Sequence, residues 1–444
     1  LPVVVTTVYG ENGKLLTGGT PASTVALLEG LGVDALGVNC GLGPAQMMPI
    51  VKQLVEYASV PLIVNPNAGL PHACDGCTVF DVGPAEFAVH MGAIADLGVQ
   101  VLGGCCGTTP DHIKAAVEVC RDKPFTPATD KGRTLVSSYA QAVEIGPAPV
   151  VIGERINPTG KKKFQQALRD HNIEYLLNEA FAQEEAGAQV LDVNVGLPEI
   201  DEPALLVEVM ESLQAVLPLP LQLDTSDPEA MERAMRRYNG KPMLNSVSGK
   251  AESMAALFPL VKKYGGVVVG LALDENGIPP TAEGRLAIAK KICDTAARYG
   301  IPKKEIVIDP LTLTISSEPE AAKVTLEAVG RIKKELGVST ILGVSNVSFG
   351  LPKRELVNTA FFTMALQQGL DCAILNPNNA AMMGAWRGYQ PLMGLDPQCG
   401  RYIAAYGGQE APAAPVAAGD GPSLTGCVLR GSKEGGGQAA QAAL

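Results

Sequence analysis

Three cysteines stand where thiol chemistry could be done: Cys40 at the end of VDALGVNC, and Cys105 with Cys106 at the end of VQVLGGCC. Each follows a short apolar run of strand character, and in a parallel α/β architecture side chains at the carboxyl ends of strands gather at one mouth. Adjacent cysteines rarely close an unstrained disulfide on each other. As thiolates, both can reach one cation, and three thiolates around Zn²⁺ leave the fourth tetrahedral position open for a substrate. Such an ion lowers the pKa of an incoming thiol and makes it a nucleophile at neutral pH. The flanking glycines permit a turn tight enough to aim both side chains inward. A rival ligand set lies in HACDGC, where Cys74 and Cys77 have metal-knuckle spacing beside His72. No second CxxC accompanies it, and the blander reading is a decorated loop. Cys120, Cys293, Cys372, Cys399 and Cys427 read as small buried hydrophobes, and His90, His112 and His171 as surface or core residues of helical stretches.

A second set of side chains recurs further along. Glu154, Asp192 with Asn194, Asp224, Asn245, Asp309 and Asn346 each close an apolar run. Carboxylates and amides gathered at one mouth can make paired donor and acceptor contacts to a planar heterocycle with an amidine-like edge, as a pterin has. Any one of them could instead cap the helix that follows. Six such strand ends at one mouth favour the ligand reading. Lys161, Lys162 and Lys163 read as a solvated helix start that could also attract an anionic ligand tail.

The elements that must position these residues alternate throughout. In the first third, strand character is found in PVVVTTVY, VDALGVNC, VPLIVNPNAG and VQVLGGCC, separated by helical stretches such as GPAQMMPIVKQLVEYAS. These are four βα units, half of a closed (β/α)₈ barrel, and a half-barrel leaves two open sheet edges. Residues 121–149 mix Pro, Gly and charge without a clear period and read as a linker. Eight more strands follow in PVVIGERIN, AQVLDVNVG, LPLQLDTSD, KPMLNSVSG, GVVVGLALD, EIVIDP, STILGVSN and DCAILNP. They imply a complete (β/α)₈ TIM barrel over residues 150–402. From residue 403 Ala, Gly, Pro and Gln dominate, as expected of a flexible tail.

Composition narrows the class. The 444 residues carry a formal net charge of -11 and no basic stripe, which argues against a nucleic-acid partner. No apolar run approaches the roughly 20 residues that span a bilayer, so no membrane partner is expected and a cytoplasmic location is. Ten cysteines scattered through a chain of this length suit metal or thiol chemistry in a reducing compartment better than a disulfide framework. The sequence begins with Leu1 and its first residues already read as a strand, so a fragment of a longer chain is expected.

VNCGLGP, NPNAGLP and GGCCGTTPDHI, within residues 1–120, resemble the homocysteine-binding zinc domain shared by cobalamin-dependent methionine synthases and betaine-homocysteine methyltransferases. The resemblance corresponds to the second half of that barrel and implies that Cys40, Cys105 and Cys106 hold the zinc that activates homocysteine. It gives the CDGC loop no metal role. GERINPTG, LDVNVG, LDTSD, NSVSG, IDP and GVSNVSFGLP resemble the pterin-binding domain of cobalamin-dependent methionine synthases and related methyltetrahydrofolate:corrinoid-protein methyltransferases. This resemblance implies that Glu154, Asp224, Asn245, Asp309 and Asn346 line a methyltetrahydrofolate site, with Asn346 and Asp309 at the reacting centre. Dihydropteroate synthases share the fold but carry a lysine where this chain has Asn346. The stretch SLTGCVLRGSKEGGGQAAQAAL is similar to the opening helix of the module preceding a cobalamin domain, although its glycines are poor for a helix. No DxHxxG cobalamin-ligand motif occurs in these residues, so cobalamin is expected on another domain or a separate corrinoid protein. The implied activity is methyl transfer from 5-methyltetrahydrofolate through cob(I)alamin to zinc-activated homocysteine. A methyltransferase acting only between methyltetrahydrofolate and a corrinoid protein, or a non-catalytic folate-binding platform, are the alternatives.

Overall fold

The computed structural model describes residues 1–74 and 76–407. Its chain divides into two compact units, Leu1–Tyr389 and Gln390–Leu444. The first unit opens with β1 (Val4–Thr7), β2 (Ala35–Asn39) and β3 (Leu62–Asn65). A short hairpin follows, β4 (His72–Cys74) and β5 (Cys77–Val79), and then β6 (Val101–Leu102). β1, β2, β3 and β6 form one parallel sheet in that order, which leaves β1 and β6 as its edges. Leu36, Val38 and Val64 from the central strands pack with Met47, Ile50, Leu54, Phe87, Met91 and Ile94 from the flanking helices.

β7 (Thr134–Ser137) and β8 (Ala142–Ile145) pair antiparallel inside the stretch expected to be a linker. Val136 and Ile145 are buried in one cluster with Val150, Ile152, Val190, Met243, Val267, Val307 and Ile341 from the barrel strands. The hairpin therefore plugs the amino-terminal end of the barrel. It is too short for its two-residue alternation to stand out between Pro- and Gly-rich flanks.

The barrel closes as expected. Its strands are β9 (Val150–Ile156), β10 (Val190–Val193), β11 (Leu221–Asp224), β12 (Met243–Ser248), β13 (Val267–Leu271), β14 (Ile306–Asp309), β15 (Ser339–Gly343) and β16 (Cys372–Leu375). All run parallel, each bonded to the next, with β16 returning to β9. The helices between them bury their apolar faces on the outside of the strands, as with Leu205, Leu206, Val209 and Leu213 of the helix Glu202–Val216. This leaves the carboxyl ends of the strands as the one rim where polar side chains meet.

Three expectations are corrected. His171, expected within a helical stretch, lies at φ 49° in the break between two helices, Lys162–Arg169 and Ile173–Ala186. Cys399 is exposed, because it stands at a left-handed backbone position just before the short helix Gly400–Tyr406 rather than on an apolar face. That helix also occupies residues 403–406, the start of the expected tail. The rest of the tail, with Cys427 and the SLTG stretch, lies outside the described residues.

Candidate functional site

The first site is a thiol cluster at the carboxyl ends of β2 and β6. Cys40 leaves β2 at φ 66° and Gly41 follows at 81°, a reversal that turns the thiol back over the sheet. The Cys40 amide donates to the Asn65 carbonyl at 2.9 Å, and the Cys105 amide to the Pro66 carbonyl at 2.8 Å. Asn67 is buried, and its Oδ1 accepts the Cys106 amide at 3.1 Å. Gly107 is required: it stands at φ 79°, and a Cβ there would lie 2.4 Å from the Phe80 ring, whereas one at Gly103 would meet only the Asn65 side-chain amide, at 2.4 Å from Oδ1. The helix Pro110–Cys120 begins immediately after the cluster. His112 Nδ1 accepts the Thr109 amide at 3.2 Å, which assigns the proton to Nε2 and makes Nε2 the donor to the Val82 carbonyl at 2.9 Å.

Cys40 Sγ lies 3.7 Å from Cys106 Sγ, and Cys105 Sγ 3.9 Å from Cys106 Sγ, with all three sulfurs within 4.8 Å of one another. Tetrahedral zinc with Zn–S bonds of about 2.3 Å requires S···S separations of about 3.8 Å. The donor set fits that ion, and it is the one such group of three among the described residues. Burial acts to raise the Cys40 thiol. The Gly41 amide and the hydrogen bonds of Cys106, Cys105 and Asn67 outweigh it and hold Cys40 below the ordinary thiol value. Burial, with the neighbouring thiols, pushes Cys105 up to about 11. Cys74 and Cys77 are not part of this cluster. They are exposed on the β4–β5 hairpin, directly opposite each other.

The second site lies at the carboxyl ends of the barrel strands. Asp224 Oδ2 accepts Asn194 Nδ2 at 3.0 Å and Asn157 Nδ2 at 3.5 Å, while Asp192 Oδ1 accepts Gln222 Nε2 at 2.6 Å. Asn245 stands beside Asp224 in the ladder between β11 and β12. Glu154 accepts Ser345 Oγ at 3.2 Å, which ties β9 to the 3₁₀ turn Val344–Ser348 that carries Asn346. Lys161 was expected to be solvated. Its ammonium instead turns inward, donating to the Glu154 and Arg155 carbonyls at 2.8 and 3.2 Å.

Burial dominates the electrostatics here. It pushes Asp224 up to about 6, against the Asn194 hydrogen bond, and it holds Asp192 well above the usual range with the Asp224 charge adding to it. Glu154 is raised by burial too, opposed by Lys161 and Ser345. Asp309 stands apart from this network. Burial pushes it up to about 7 even though Oδ1 accepts the Leu311 amide at 2.7 Å and Arg285 lies near. Arg285 is itself 1% exposed and donates to the Pro310 and Leu311 carbonyls and to Thr325 Oγ1, thereby fixing the loop that follows β14. The site therefore gathers Glu154, Asp192, Asn194, Asp224 and Asn245 with the Asn346 turn, and sets Asp309 in its own shell. Asn67, Asn157, Ser345 and Arg285 were not singled out in the sequence. Asn157 and Asn67 lie inside the GERINPTG and NPNAGLP motifs, but Arg285 sits in an ordinary-looking amphipathic helix and gave no signal.

Residues 153–376 match the family Pterin binding enzyme, just over half of the chain. The chain belongs to that family. Residues 1–120 match Homocysteine S-methyltransferase. Among curated proteins the chain is 33% identical over 398 residues to a methionine synthase of Mycobacterium leprae, covering 85% of this chain and 33% of that protein. It is 31% identical over 404 residues to a methionine synthase of Mycobacterium tuberculosis, covering 86% and 34%. The chain thus spans about a third of the length of these relatives. Among solved structures it is similar to dihydropteroate synthases. That of Xanthomonas albilineans is 21% identical with a TM-score of 0.47, over 59% of this chain and 98% of that one. That of Yersinia pestis is 15% identical with a TM-score of 0.45, over 59% and 99%.

Proposed function

We propose that this chain is the substrate-activating part of a cytoplasmic, cobalamin-dependent methionine synthase, which moves a methyl group from 5-methyltetrahydrofolate by way of a corrinoid to homocysteine. The observation that carries the reading is the presence on one chain of two distinct sites: a three-thiol cluster spaced for zinc, and a closed barrel whose strand ends gather carboxylates and amides.

Cys40, Cys105 and Cys106 would hold the zinc, and Asn67 keeps the Cys106 segment in place for it. Bound there, zinc supplies the Lewis acidity that makes the homocysteine thiol a thiolate at neutral pH. In the barrel, Asp224 and Asn245 present an acceptor and an amide side by side for the pterin edge. The methyl group leaves N5 readily only when N5 gains positive character. Asn346 offers an amide to that region, and Asp309, raised to about 7, can hold a proton near neutral pH. A corrinoid held by a cobalamin-binding domain or a separate corrinoid protein would supply the methyl acceptor, while the residues of this chain bind and orient the methyltetrahydrofolate.

The test is titration of methyltetrahydrofolate into wild type, Asp224→Ala and Asn245→Ala, with demethylation followed on added cob(I)alamin. Each binding variant is expected to weaken affinity by about 1 to 3 kcal/mol, the cost of leaving a desolvated partner unpaired. Asn346→Ala is expected to slow demethylation more than it weakens binding. Wild-type affinity in both binding variants would place the pterin elsewhere. Demethylation without any methionine formation from methylcobalamin and homocysteine would instead favour a methyltransferase acting only on a corrinoid protein.

A further inference from the structure

The β4–β5 hairpin carries the second cysteine pair, and the proposed methyl transfer makes no use of it. Cys74 and Cys77 are direct cross-strand partners, with Ala73 opposite Thr78 and His72 opposite Val79. Residues facing each other in an antiparallel ladder have Cα atoms about 4.5 to 5.5 Å apart, inside the window of about 4.4 to 6.8 Å that a disulfide needs. Their side chains leave the same face of the hairpin. Both residues are exposed, and Gly76 supplies the turn at φ 76°. By contrast, Cys293 and Cys372 are buried, and burial raises both thiols, the first to about 11, which leaves them unreactive.

The segments on either side of the hairpin are bonded to the thiol cluster and to each other. The Ala68 amide donates to the Cys106 carbonyl and the Val82 amide to the Ala68 carbonyl, at 2.9 and 3.0 Å. Just after β5, Phe80 covers Gly107. The hairpin is therefore joined at both ends to segments that touch the cluster. A metal is the weaker reading of this pair, since His72 does not join the two thiols in a three-ligand group among the described residues.

We propose that Cys74 and Cys77 form a dithiol/disulfide pair that exchanges reversibly with small-molecule disulfides of the glutathione class at the edge of the thiol cluster. In the first step one cysteine thiolate attacks a sulfur of the oxidised tripeptide, an S–S bond breaks, a mixed disulfide forms, and one tripeptide thiolate leaves. The second cysteine thiolate then attacks the protein sulfur of that mixed disulfide and expels the second tripeptide thiolate. The two protons lost by the cysteines go to the two leaving thiolates, so two thiols are oxidised and one disulfide is reduced. Only two residues lie between the cysteines, so the closed loop removes little entropy from the unfolded chain, and an exposed bond of this kind is readily reduced again.

The experiment treats the zinc-loaded full chain with glutathione disulfide, blocks remaining thiols by alkylation and maps the peptides. The expected result is a Cys74–Cys77 cross-link with no tripeptide retained, reversed by reduced glutathione. Cys77→Ser should retain one tripeptide at Cys74, trapping the first step, and Cys74→Ser should trap it at Cys77. Zinc content should stay at the untreated level. Three outcomes overturn the proposal: Cys74 and Cys77 both alkylated after treatment, a tripeptide on each without a cross-link, or a Cys40–Cys106 cross-link formed in preference to theirs.

Discussion

Cys40 Sγ and Cys106 Sγ lie 3.7 Å apart although 66 residues separate them in the chain. Two sharp turns produce that approach. One is the left-handed pair at Cys40 and Gly41, and the other is held by the Asn67 side chain and the Pro66 carbonyl. The cluster is built by the backbone rather than by long side chains reaching inward, so it is preorganised for an ion and sensitive to loss of any one sulfur.

Metal analysis should therefore find one Zn²⁺ per chain. Cys40→Ser, Cys105→Ser and Cys106→Ser should each lose it, and Cys74→Ser or Cys77→Ser should retain it. Retained zinc in Cys105→Ser and Cys106→Ser would show that the three sulfurs are not the ligands.

The barrel acids make stability depend on pH in an unusual direction. Asp309 is raised to about 7 and Asp224 to about 6 in the folded chain, whereas an unfolded aspartate titrates near about 4. Between those values the folded chain holds more protons than the unfolded one, so this contribution to stability is complete below about pH 4 and is lost as the pH rises toward about 7. Asp309→Asn removes the Asp309 share. Urea denaturation of the ligand-free chain at pH 5 and pH 8 should show a smaller loss of stability in Asp309→Asn than in wild type. Equal losses in the two would mean that Asp309 is ionised throughout.

How much of this was legible follows from what each residue is doing. The eight barrel strands announce themselves because each is an apolar run closed by a polar residue, and the cysteines because CC between glycines has few structural reasons to exist. The β7–β8 hairpin was missed because its role is to plug the barrel: Val136 and Ile145 are buried by distant strands, and nothing local marks them. Lys161 looked solvated because its partners are the backbone carbonyls of Glu154 and Arg155, which any sequence would supply. Arg285 was silent for the same reason, since most of its acceptors are carbonyls of a loop brought to it by the fold.

The seam between the first sheet and the barrel contains a buried ion pair. Lys241 Nζ lies 2.5 Å from Glu305 Oε2 with side-chain exposures of 5% and 14%, and that oxygen has no other polar partner among the described residues. Removing one member of such a pair costs about 3 to 5 kcal/mol when the other charge is left unpaired, whereas replacing both with apolar residues of similar size is often close to neutral; the Glu29 carboxylate also feels the Lys241 charge, which puts the cost here at the lower end. Glu305→Ala should therefore destabilise the chain by an amount in that range, and Lys241→Met with Glu305→Leu should recover most of it. A double variant no more stable than Glu305→Ala would show that the cost comes from packing rather than from the unpaired ammonium.

The edges of the first sheet lead to the last expected outcome. Among the described residues β1 and β6 each present one side with no paired strand, and Val4 and Val101 on them are 52% and 46% exposed. An open parallel edge with apolar side chains is a template for another strand, and natural edges are commonly protected by lysine. The chain should self-associate with rising concentration through this sheet, while the barrel, whose strands close on themselves, contributes nothing to the effect. Val4→Lys with Val101→Lys places a charge on both edges without touching the cysteines or the core of Leu36, Val38 and Val64. Sedimentation velocity should show the double variant shifted toward monomer across the concentration range in which the wild type associates, with its zinc content unchanged. Unchanged zinc is what shows that the sheet is still folded. If the double variant keeps both its zinc and the wild-type association, the edges are not the surface responsible.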